Sequence, residues 1–203
     1  MLQMDNNHKT VQALITIGVF NAIFIAVFFA AGLSLSFMTT LVPAVALIMP
    51  VLLALPGGII YFFMVTKAPV NGVFLISGAI LGIFMVAAGN MAFFLLSMTG
   101  AGIIAELLFC GIGRNSFWGK AAGFASVMAG FVAGGYFPMI FMHKAYLEFQ
   151  LARGVDSAYL ESMLAILSPP ALAGILFATA GSAILGSWWG HKMLHKHLAK
   201  TGR

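Results

Sequence analysis

Charge is the scarcest thing in this sequence. Asp, Glu, Lys and Arg together make up 7% of 203 residues, where a soluble domain carries about a quarter. A chain so poor in charge has too little polar surface to meet water, and a soluble globular fold is excluded. Acid is the scarcer sign, with 5 Asp and Glu against 10 Lys and Arg. There is no acidic pair, no Ser/His/Asp set, no His-Glu-x-x-His and no phosphate loop, so we expect no enzymatic activity and no cofactor. Cys110 is the single cysteine, which excludes an internal disulfide and a cysteine metal site.

What the chain does have is apolar length. It is 62% hydrophobic, with a mean hydropathy of +1.04. At about 20 apolar residues per crossing, this is an all-α integral membrane protein with room for little beside its helices. The runs predict six transmembrane helices in one domain, at 10–31, 41–66, 73–88, 91–112, 120–141 and 169–190. The first run is too long for a signal h-region, so no cleaved signal peptide is expected. Gly32–Thr40 is short and hydroxyl-rich and reads as a loop. Pro50 and Pro56-Gly57-Gly58 interrupt the second run, which predicts one tilted or broken helix kinked near Pro56. Residues 143–168 are the long polar segment. Their apolar residues recur at helical spacing on either side of Gly154, predicting two short amphipathic helices on the membrane surface. Ser168-Pro169-Pro170 is a helix start, with serine as cap.

Orientation follows from the basic residues. With six crossings, Lys9, Lys67, Arg114, Lys120, Lys192, Lys196, Lys200 and Arg203 fall on one side, and Lys144 and Arg153 on the other. The positive-inside rule then makes both termini cytoplasmic. The net charge of +5 is accounted for by these helix ends and does not point to nucleic acid.

Four features could carry function. The first is a stripe of small residues on helix 1, Gly18, Ala22, Ala26 and Ala30, which lie on one helical face. Such a face lets another helix approach closely; it fits packing inside the chain's own bundle and fits docking of a partner. Phe20, Phe24, Phe28 and Phe29 are expected to point elsewhere. The second is Glu106, the acidic residue inside a predicted span. A carboxylate there is costly unless it faces protein or water, which fits a structural hydrogen-bonded role, a partner contact or a coupling-ion site. The third is an outer polar set that could bind a small molecule: Asn90, Tyr136, His143, Lys144, Tyr146 and Glu148. The fourth is the histidine-bearing tail with His191, His195 and His197; its interleaved lysines favour a collar against lipid phosphates over a metal site.

Several local patterns, in this order, resemble the Trep_Strep (MptD-type) integral membrane proteins, assigned as substrate-binding S components of energy-coupling factor (ECF) transporters. They are Ile17-Gly-Val-Phe-Asn-Ala22, Leu55-Pro-Gly-Gly-Ile-Ile-Tyr61 with Val65-Thr-Lys67, Ala105-Glu-Leu-Leu108, Pro138 to Tyr146, and Gly186-Ser-Trp-Trp-Gly190 ahead of a basic tail. The resemblance implies a six-helix S-component bundle that captures a vitamin-like micronutrient at the extracellular face. It implies docking on a transmembrane T component driven by two cytoplasmic ATPases, through an Ala-x-x-x-Ala motif that Ala22 and Ala26 match. It also implies substrate held by the outer ends of helices 4 to 6, under the loop after helix 1. The alternative is a self-contained ion-coupled permease that uses Glu106.

Overall fold

The structure, a computed structural model, describes residues 2–42 and 44–201, with the side chains of residues 10–35, 38, 42 and 45–196. Eight helices and no strand occur among the described residues: α1 (Leu2–Leu41), α2 (Ala44–Lys67), α3 (Val73–Ala87), α4 (Phe93–Ile112), α5 (Phe117–Phe141), α6 (His143–Ala152), α7 (Ser157–Ile166) and α8 (Pro169–Thr201). Five of them are long and apolar enough to cross a membrane, at Thr10–Leu35, Val45–Lys67, Phe93–Ile112, Phe117–Phe141 and Pro169–Lys196. α3 is apolar but shorter, at 15 residues.

Two stretches depart from the sequence reading. The expected loop at 32–40 is helix, so α1 runs on to Leu41 instead of ending near residue 31. Its hydroxyls do not break it, because they can return to the helix: Ser34 Oγ donates to the Ala30 carbonyl at 2.7 Å. α1 stops just ahead of Pro43, where the residue before a proline is disfavoured in helix. The basic tail after Gly190 is likewise a continuation of α8, since no glycine or proline occurs in it before residue 202. The side chains of residues 1–9, and those of His197, Lys200 and Arg203, lie outside the described residues.

Elsewhere the turns fall where glycine permits them. α3 begins after Gly72 (φ +84°), and Gly154 (φ +81°) separates α6 from α7. α2 is unbroken through Pro50 and Pro56. Ser168 starts α8 by accepting from the Ala171 N–H at 3.4 Å.

The five long helices and the shorter α3 close into a ring in the order α1, α3, α4, α5, α8, α2, with α2 meeting α5 across the middle. No water-driven collapse holds helices together in lipid, so close backbone approach must do it. Small residues provide that approach at the α2–α8 seam. A Cβ on Gly58 would sit 2.6 Å from the Ser187 nitrogen, one on Gly186 would overlap the Leu55 carbonyl, and one on Gly190 would sit 3.1 Å from the Ile59 Cα. Ser182 Oγ then donates across the seam to the Val51 carbonyl at 2.7 Å. Gly186→Val therefore separates the two backbones. We expect it to cost about 1–3 kcal/mol, read as a lower thermal midpoint in detergent, while Gly181→Ala, with open space around its Cβ, leaves the midpoint unchanged.

The interior is aromatic. Phe24, Tyr61, Phe74, Phe109 and Phe124 are buried together, with Tyr61 and Phe124 centroids 4.6 Å apart and Phe24 edge-on to Tyr61 at 5.6 Å. This cluster fills the centre of the ring.

Candidate functional site

Above the aromatic core lies an open cavity of about 390 Å³, bordered on one side by residues of α6, α7 and the turn between them. Its volume falls in the range of small-molecule sites. Its floor and walls are Phe28, Phe94 and Phe131 with Met49, Met85, Met139 and Met163; its polar groups are Asn90, Tyr136, Tyr146, Gln150 and Tyr159. Three of the outer residues picked out by sequence, Asn90, Tyr136 and Tyr146, are thus brought together. The other three, His143, Lys144 and Glu148, stand exposed on α6, outside the lining. Gln150 and Tyr159 were not among the binding residues expected from the sequence, although Tyr159 belongs to the helically spaced apolar set of the outer segment. Tyr146, Gln150, Leu160 and Met163 share the cavity side of the amphipathic pair, and the helical spacing of that side was the signal that could have found them.

Four of the five polar groups are positioned by a hydrogen bond. Asn90 Nδ2 donates to the Met85 carbonyl at 3.0 Å, which fixes the amide at the end of the α3–α4 turn. Gln150 Nε2 donates to the Tyr146 hydroxyl at 3.0 Å. Tyr136 donates to the Ala46 carbonyl at 3.0 Å. That carbonyl is available because Pro50, four residues on, has no N–H to offer it. The proline that looked like an interruption creates an acceptor, and the acceptor aims a phenol from α5. Burial holds the Tyr146 and Tyr159 phenols above their ordinary value, so both stay neutral at physiological pH.

The cover over the cavity is tied at its far end. The Arg153 guanidinium lies so close to Gly89 (φ +100°) that any side chain there would overlap it, and it stacks over Phe149 at 5.6 Å. Asp156 caps α7 by accepting from the Tyr159 N–H at 3.0 Å.

On α1 the structure separates two faces. Ile17, Asn21 and Phe24 are buried against α2 and α3, whereas Gly18, Ala22, Ala26 and Ala30 are all exposed. A Cβ built on Gly18 meets no atom within 4 Å. The small residues are therefore not used for packing inside the chain's own bundle. Phe20 and Phe28 are half-buried; Phe29 is on the exposed side, turned edge-on to Phe84 of α3 at 5.5 Å.

A family model described as a hypothetical bacterial integral membrane protein (Trep_Strep) matches residues 11–200. The chain belongs to the Trep_Strep family. No curated protein and no solved structure matches it. With its apolar helices, the Trep_Strep chain is a multi-pass protein of the bacterial cell membrane.

Glu106 of this Trep_Strep protein lies at the opposite end of the bundle from the cavity and is held by backbone. Its Oε1 accepts from the Gly72 N–H at 2.8 Å and its Oε2 from the Phe74 N–H at 3.1 Å. Gly72 is the residue preceding α3 and has no side chain with which to cap it. The carboxylate of α4 does so instead, where the helix dipole favours negative charge. The same end carries Lys120, which donates to Thr66 Oγ1 at 3.0 Å and sits 5.1 Å over the Phe62 ring. It also carries Lys192, 3.7 Å over Trp188. The His191 and His195 rings meet edge-on at 4.4 Å, with His191 also against Phe62 and Phe117. Among the described residues no group of three or more His, Cys, Asp or Glu side chains could hold a metal ion.

Proposed function

We propose that this protein is the substrate-capture (S) subunit of an ECF-type ABC importer. In this reading the chain crosses the membrane six times, with the short α3 as third crossing and both termini cytoplasmic. The cavity under α6 and α7 then opens to the outside and receives a vitamin-like micronutrient. The basic end faces the cytoplasm and lipid phosphates. The face formed by Gly18, Ala22, Ala26 and Ala30 docks on the T component, which two cytoplasmic ATPases drive.

The observation that carries the reading is the outward placement of that face. A subunit that binds and leaves a partner within the membrane needs a shallow surface rather than interlocked side chains. The self-contained permease loses its motive, because the backbone of α3 already occupies both oxygens of Glu106.

The test is co-expression with an ECF module from the same cell, followed by pull-down and intact-complex mass. The expected result is a stoichiometric complex that Ala26→Leu reduces at least tenfold while the free chain keeps its thermal midpoint. No complex, where another S component does assemble with the module, overturns the reading.

A further inference from the structure

The cavity has a chemistry of its own, and that chemistry selects a ligand class. None of the 19 residues that line it is charged. The nearby acids and bases are turned elsewhere: Glu148 and Glu161 are exposed, Asp156 is used as the cap of α7, and Arg153 is drawn onto Gly89 and Phe149. Residues 36–44, the end of α1 and its connection to α2, contain no charged residue either. An anion or a cation seated against this lining would give up part of its hydration with no opposite charge to replace it, which is unfavourable.

Two kinds of group remain. The first is flat and soft. Phe94 and Phe131 are edge-on at 5.3 Å, and Phe28 stands against Phe131 at 5.9 Å. Four methionine thioethers complete this wall, and sulfur and ring edges both favour an aromatic guest. The second is neutral and of mixed sign. After its bond to Met85, Asn90 keeps its amide oxygen and one N–H. Gln150, after its bond to Tyr146, keeps the same pair. Tyr159 OH has no hydrogen-bond partner among the described residues, and Tyr136 retains acceptor capacity.

We infer that the cavity takes an uncharged, flat ring system whose edge carries both hydrogen-bond donors and acceptors. The inference rests on the reading of this cavity as the substrate site. The aromatic wall covers the ring faces; Asn90 and Gln150 pair with its edge from α6 and the α3–α4 turn. A carboxylated, phosphorylated or permanently cationic molecule is rejected, because the wall offers no counter-charge.

The full chain, purified in detergent from overexpressing cells, is denatured and the released small molecule identified by mass spectrometry in both ion modes. The expected result is a ring-bearing molecule without net charge at neutral pH. In the same preparation Gln150→Leu retains about tenfold less of it, and Glu161→Gln, exposed on α7, retains as much as the natural chain. A released molecule bearing a carboxylate, a phosphate or a fixed positive charge overturns the inference.

If nothing is released, matched probes decide by thermal stabilisation. They are nicotinamide against nicotinate, and indole-3-carboxamide against indole-3-carboxylate and tryptamine. The carboxamides are expected to stabilise the chain and the ionised members not; preference for an ionised member, or no response to any, overturns it. The transporter reading fails separately. Uncharged ligand bound by a chain that never joins an ECF module would sink that reading and leave the ligand class standing. Assembly with a charged ligand aboard would do the reverse.

Discussion

Glu106→Ala is expected to destabilise the protein by about 3–6 kcal/mol, since each hydrogen bond to a charged group contributes about 1.5–3 kcal/mol and two are lost. The lost partners are the Gly72 and Phe74 N–H groups, which α4 now caps from outside α3. Without the carboxylate both donors lie at a helix start with no side-chain cap of their own. Glu106→Gln should cost less but not nothing. Its amide oxygen can accept one N–H, while its NH₂ group faces the other donor. The measurement is the thermal midpoint in detergent, paired with transport per folded molecule after reconstitution with the energising module. A lower midpoint with transport retained fits the cap. An unchanged midpoint with transport abolished in Glu106→Gln would instead make this residue a coupling site and revive the permease.

The second large effect is expected at Asn21. This buried amide is the polar centre of the bundle. It donates to the Ile17 carbonyl at 2.8 Å and to Ser77 Oγ at 2.9 Å, and accepts from the Tyr61 hydroxyl at 3.0 Å. One side chain thus joins α1, α2 and α3. Interhelical hydrogen bonds in membranes contribute modestly, on average about 0.6 kcal/mol each. The larger cost comes from the partner left behind. Asn21→Leu strands the Tyr61 hydroxyl among Phe24, Phe74 and Phe124, and an orphaned buried group costs about 1–3 kcal/mol.

We therefore expect about 2–4 kcal/mol of destabilisation for Asn21→Leu. Tyr61→Phe added to it should recover part of that loss, because the orphan is then gone. Simple additivity of the two substitutions would show that the pair is not coupled. The variant bears on function as well. Asn21 fixes the rotation of α1, and with it the direction in which Gly18, Ala22, Ala26 and Ala30 face. Asn21→Leu should weaken assembly with the T component even though Asn21 lies on the opposite side of the helix from that face.

Asn21 adjoins Ala22 of the small-residue stripe in sequence. It points inward instead. The reason is general to this chain. A soluble helix announces its buried face by alternating apolar and polar residues, but α1 is apolar almost all round, so its periodicity carries no direction. Only the placement of α2 and α3 decides that Asn21 is inside and Ala26 outside. The same holds for Glu106, whose capping partners lie 32 and 34 residues away in the chain. It holds for Tyr136 too, whose acceptor on Ala46 is 90 residues distant.

By itself, the sequence determined the class of protein, because so little charge over such long apolar runs admits no soluble fold. It also marked α3, α4 and α5 to within a few residues, largely through glycine turns, and the start of α8 through its serine cap. It marked the amphipathic pair with its break at Gly154, since that segment alone has a polar side to contrast with an apolar one. Tertiary structure decided the rest. It carried α1 through a hydroxyl-rich stretch, because Ser34 bonds back to its own helix. It turned Tyr146 and Gln150 into the cavity and left Lys144 and Glu148 in the open. And it set the smooth face of α1 outward, because the bulky, hydrogen-bonded side of that helix is the one its neighbours bury.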